Sequence, residues 1–172
     1  MRTDTPRSSA ILAGLALIVL PIAAVVLKLS VFPGWMIVIA IWGSPMLLIG
    51  YALQVVIAGH GLLRARGIFR RSRAGFRGVV AALATSLGVL GAAFFLIDGG
   101  DDGTYGSAFT ELLGMSSTSQ GSETSMVLFF VCAFAWLAGW LWLVVEWVAQ
   151  LILARRAFVE AREAPHPAPG KG

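Results

Sequence analysis

The chain has 172 residues, of which 58% are hydrophobic and 13% charged, and its formal net charge is +4. Soluble domains are nearer half apolar and a quarter charged, so this composition excludes an ordinary water-soluble globular enzyme. One cysteine, Cys132, excludes an intrachain disulfide framework and any CxxC metal or redox site, and the lack of asparagine removes every N-glycosylation acceptor.

A sequence pI near 10.0 would direct a soluble chain towards nucleic acid. Here the basic residues sit in short segments beside apolar runs, so the expected partner is anionic lipid headgroups and not nucleic acid. The scarcity of Lys and Asn beside abundant Ala, Gly and Arg is the composition of a GC-rich bacterial genome, which makes a bacterial inner membrane the expected location.

Four apolar stretches are each long enough to cross a bilayer, which takes roughly 20 helical residues. They cover about 10–29, 35–58, 79–97 and 126–153. Backbone polar groups in lipid must bond within their own segment, and no stretch alternates with period two, so helices are expected and a β-barrel is not. The fold class predicted is all-α, a polytopic membrane protein with four transmembrane helices in a bundle. One domain covers 1–163, and a Pro-rich disordered tail covers 164–172. The first run exceeds the apolar core of a signal peptide and no A-x-A site follows it, so it reads as an uncleaved span.

Charge orients the spans. Twelve of the thirteen basic residues fall in the head, the second loop and the tail, and Lys28 is the exception. The second loop alone carries Arg64, Arg66, Arg70, Arg71, Arg73 and Arg77, the expected contacts for anionic lipid. The third loop, 98–125, holds Asp98, Asp101, Asp102, Glu111 and Glu123 and no basic residue. The positive-inside rule places both termini and the second loop in the cytoplasm and the acidic third loop outside. In the basic loop Leu62, Leu63, Ile68, Phe69 and Phe76 are expected to dip among the headgroups. In the acidic one, 108–115 is expected as a short interfacial helix with Phe109, Leu112 and Leu113 on lipid, and SSTSQGSETS as a flexible stretch.

Glu146 is the one acid inside a span, on a stripe with Leu128, Cys132, Ala135, Gly139, Trp142 and Gln150. Trp136, Trp140 and Trp147 are expected towards lipid. Gln54 lies at a similar depth in the second span, so an intramembrane polar pair, Gln54 with Glu146, is expected between the second and fourth spans. Pro45 should kink the second span, because proline removes an N–H and crowds the preceding turn. Ala81, Ala82, Thr85, Gly88 and Ala92 give the third span a small-residue face suited to close helix packing.

Chemistry-bearing constellations do not emerge. DGGDDG at 98–103 matches an EF-hand loop at three positions but has Gly100 at the third and Phe109 at the twelfth, where ligands are required. No G-x-S-x-G, H-E-x-x-H or P-loop occurs, and His60 and His166 cannot make a metal site alone, so no catalytic residue, metal or cofactor is expected. The expectation is a non-enzymatic protein acting by association, as accessory subunit, scaffold or assembly factor, with a second copy or another membrane protein as partner. The alternative is an oligomeric small channel, holin-like pore or exporter with Glu146 and Gln54 lining the path.

Overall fold

The computed structural model describes residues 7–31, 33–65, 67–71, 75–99 and 103–163. Most of them are helical. The elements run α1 (Arg7–Val31), α2 (Met36–Ile57), a π-helical turn (Ala58–Leu63), α3 (Ile68–Arg71), α4 (Gly75–Phe95), β1 (Asp98–Gly99), β2 (Tyr105–Gly106), α5 (Ala108–Leu112) and α6 (Ser119–Glu163). Helices α1, α2, α4 and α6 are each long and apolar enough to cross a membrane. The two strands are a minimal antiparallel pair, Asp98 opposite Gly106 and Gly99 opposite Tyr105, inside the acidic segment.

The burial pattern is one that an apolar surrounding would suit. Many of the buried apolar side chains are small: Ala10, Ala13, Ala24, Ala81, Ala82 and Ala92. Large ones such as Leu12, Ile22, Ile39, Leu87, Phe134 and Leu137 are exposed. In water the large apolar groups would be driven inside. Where lipid replaces water that drive is absent, and close backbone approach through small residues holds helices together.

Helix α4 is the centre of the packing, in contact with both α1 and α6. Its small-residue face is as expected: Ala81, Ala82, Thr85, Gly88 and Ala92 are all buried. On α6 the facing residues include Cys132, Trp136, Gly139 and Leu143. A Cβ on Gly88 would lie 2.5 Å from the backbone N of Trp136, and one on Gly139 would lie 2.8 Å from the backbone N of Thr85. Neither glycine can carry a side chain without separating the helices. The inward stripe of α6 is therefore rotated from the expected one. Trp142 is 50% exposed, whereas Trp147 packs against the core and Trp136 and Trp140 are partly buried.

Helix α2 is different. Residues 38–42 and 45–49 are exposed without interruption, and each run exceeds a full helical turn. Its middle therefore touches the rest of the protein on no broad face; Trp42 and Met46 are 84% and 83% exposed. Pro45 lies within α2, which continues to Ile57 and is followed by the π turn.

Helix α6 has 45 residues and is ~66 Å long at 1.5 Å per residue, about twice the ~30 Å of a hydrocarbon core. It begins seven residues before the expected span and absorbs part of the Ser/Thr-rich stretch, so 119–125 is helical and not a flexible loop. Thr118 explains the early start: its Oγ1 accepts from Gly121 N at 3.1 Å, satisfying one of the free donors of the first turn. The Pro-rich tail at 164–172 lies outside the described residues.

Candidate functional site

At one end of the helices a single carboxylate gathers three chain segments. Asp98, 5% exposed, follows α4 and forms an ion pair with Lys28 of α1, Nζ to Oδ2 3.2 Å. Lys28 Nζ also donates to Leu96 O at 3.3 Å. The same carboxylate accepts from Met36 N, at 3.1 Å to Oδ1 and 3.3 Å to Oδ2, and from Gly99 N at 3.0 Å. Met36 N is an orphan donor at the start of α2, where an anion also meets the positive end of the helix dipole. Trp35 N adds a bond to Gly99 O at 3.2 Å. Gly34 admits this approach, since a Cβ there would fall on the Asp98 carboxylate. Lys28, which stands apart in the charge pattern, thus has a carboxylate of the acidic segment as its partner.

The acidic segment is ordered beyond this clasp. Ser107 caps α5 reciprocally with Thr110: Ser107 N donates to Thr110 Oγ1 at 2.7 Å, and Thr110 N donates to Ser107 Oγ at 3.2 Å. Ser107 Oγ also bonds Ser125 Oγ at 2.7 Å, and Ser125 Oγ donates to Phe95 O at 2.8 Å. These three hydroxyl residues are fully buried and join α5, α6 and the end of α4. Helix α5 is shorter than expected. Phe109 turns towards Phe94 and Phe95, with ring centroids 6.3 and 5.2 Å away, while Leu112 and Leu113 are exposed. Of the EF-hand-like run, Gly100, Asp101 and Asp102 lie outside the described residues, and Asp98 is engaged in the clasp.

The opposite end carries the arginines. Here the chain folds back through the π turn and α3, with Phe69 as the plug. Its ring fills the space left by two glycines: a Cβ on Gly61 or Gly78 would come within 2.6 Å of it. Phe69 and Leu62 are consequently buried in protein, not among headgroups, whereas Phe76 is 71% exposed. Arg64 and Arg77 are exposed and Arg70 is partly so, with Nη1 donating to Arg64 O at 3.3 Å. Arg71 ends α3, and Arg66 and Arg73 lie outside the described residues.

Gln54 and Glu146 have separate partners. Gln54 is buried and its Nε2 donates to Leu17 O of α1 at 2.6 Å. Glu146 is partly buried, and its Oε1 accepts from Gln150 Nε2, one turn along α6, at 3.1 Å. No hydrogen bond joins Gln54 to Glu146. The π turn and the Tyr51 hydroxyl, which donates to Ile18 O at 2.9 Å, bring this end of α2 against α1 instead. Near Glu146, the Trp147 indole Nε1 is buried and without a hydrogen-bond partner among the described residues.

No group of three or more His, Cys, Asp or Glu among the described residues could hold a metal ion. Comparison with protein-family models, with curated proteins and with solved structures finds no match to this chain. The arrangement itself offers two charged ends of opposite sign, a tightly packed α1–α4–α6 core, and one long helix whose middle is uncovered.

Proposed function

We propose that the chain is a multi-pass membrane protein that acts by association, as accessory subunit, scaffold or assembly factor in a bacterial inner membrane. Both termini and the arginine end face the cytoplasm, and the Asp98 end faces out. The charge distribution supports this orientation: Arg64, Arg70, Arg77, Arg155 and Arg156 stand apart from the acidic segment, and Lys28 is neutralised by Asp98.

The observation that carries the reading is α2. A spanning helix normally settles against its neighbours through small residues or polar contacts. Here it is fastened at its first turn by Asp98 and in its last two turns by Tyr51 and Gln54, and between them residues 38–42 and 45–49 are exposed. Gly43 lies in this open stretch, and a Cβ there would meet nothing within 4 Å. A second transmembrane surface seated against α2 would use that small residue as Gly88 is used between α4 and α6.

Extraction from native membranes in a mild detergent, followed by mass and composition of the complex, tests the reading. A stoichiometric second protein, or a defined complex of this chain, is expected. Recovery of the monomer alone under conditions that preserve other membrane complexes would refute it. A closed ring of copies whose ion flux changes with Glu146→Gln would replace it with a pore.

A further inference from the structure

The arginine end differs from a merely basic loop in being folded. Phe69, held between Gly61 and Gly78, fixes the backbone that presents Arg64, Arg70 and Arg77. Helix α3 packs against α6 as well as α4, and α6 runs on through a stretch, 151–159, that is exposed throughout and carries Arg155 and Arg156. None of these five guanidinium groups has a carboxylate within ion-pair distance among the described side chains, which do not include that of Glu160. Arg64, Arg70 and Arg77, presented by the folded connection with no carboxylate beside them among the described side chains, are arranged for anions supplied from outside the chain. Exposed apolar groups flank them: Phe76 beside Arg77, and Ile152 and Leu153 just before Arg155. An acidic protein surface would match the charge alone. Phosphate groups carried on acyl chains match the charge and the adjoining apolar band together.

We propose that Arg64, Arg70 and Arg77 of the folded connection form a preformed docking surface for anionic phospholipid headgroups, which Arg155 and Arg156 of α6 extend. The proposal rests on the membrane-spanning reading and gives it a lipid specificity. Guanidinium groups bind phosphate oxygens through paired N–H donors, and prepositioning lowers the entropic cost of gathering several of them around one headgroup.

The test reconstitutes the full chain in phosphatidylcholine vesicles containing a trace of spin-labelled phosphatidylglycerol or spin-labelled phosphatidylcholine. The motionally restricted lipid fraction is then measured by electron spin resonance. A restricted fraction with either probe establishes insertion in the bilayer, and its absence with both would overturn the membrane reading itself. Given insertion, phosphatidylglycerol should be favoured severalfold at low salt, since each basic group near a lipid surface contributes up to roughly fivefold. The preference should collapse in high salt, where the Debye length falls to about 3 Å. Arg64→Gln/Arg77→Gln and Arg155→Gln/Arg156→Gln should each remove most of it if the two sets act as one surface. These residues are exposed, so helix content by circular dichroism should be unchanged. Equal restriction of the two lipids by the wild-type chain, or a preference that both double variants retain, would overturn the proposal and leave an acidic protein as the partner of these arginines.

Discussion

Two helix associations in this protein follow opposite designs. Between α4 and α6 contact is continuous, and Gly88, Gly91 and Gly139 each lie so close to the other helix that a Cβ would collide with it. Between α2 and its neighbours contact is sparse outside the two ends, and residues 38–42 and 45–49 are exposed. Helices α2, α4 and α6 are all apolar enough to cross a membrane, so hydrophobicity alone does not explain the difference. In lipid an exposed leucine costs nothing, and only shape and polar bonds decide what packs. The core formed by α1, α4 and α6 uses shape. Helix α2 uses polar bonds at its ends, to Asp98, Leu17 O and Ile18 O.

The largest expected effect is therefore at the clasp. Asp98→Ala removes the ion pair of Lys28 and the acceptor of Met36 N together, and breaking such a buried pair costs about 3–5 kcal/mol. Denaturation of the purified protein in mixed micelles should show it, and Asp98→Ala/Lys28→Met should recover part of the loss because no unpaired ammonium remains. Gly88→Leu should come next, at about 1–3 kcal/mol or more, because the side chain meets α6 backbone that cannot step aside. The matching change on α2, Gly43→Leu, enters open space and should stay within about 0.5 kcal/mol in the isolated chain. If Gly43→Leu were as costly as Gly88→Leu, the two associations would not differ as described. The smallest resolvable effect is Gln54→Leu. Interhelical side-chain hydrogen bonds in membranes average about 0.6 kcal/mol, and this variant should lose an amount of that order. A Gln54/Glu146 double-mutant cycle should show no coupling, since the two side chains have different partners.

What the sequence made legible follows from bilayer length and charge. Four long apolar runs and segregated arginines and carboxylates need no tertiary information, and the small-residue face from Ala81 to Ala92 is visible as a spacing. The rest was hidden for a physical reason. On a helix that is apolar all round, the hydrophobic pattern does not say which side is inside, so the buried face of α6 differs from the expected one by part of a turn. The partners of Lys28 and Gln54 lie 70 and 37 positions away and depend on how the helix ends meet. Lys28 did carry a signal: a lone cation among otherwise acidic surroundings calls for a carboxylate, and Asp98 is the first acid after the third span. The Ser/Thr-rich stretch looked like a flexible loop because those residues disfavour helix interiors. Thr118 as a cap and Ser125 bonded to Phe95 O reverse that local preference.

The claim that α2 is the associating surface is tested most directly in native membranes, with a photoreactive amino acid placed at Trp42. The same label at Leu137, on the exposed side of α6, serves as the comparison. Both positions are open in the isolated chain, at 84% and 60% exposure. The account predicts a protein adduct of discrete mass from position 42 and only lipid adducts from position 137. Lipid adducts alone from both positions would contradict it and make α2 a helix whose open middle faces nothing but the bilayer.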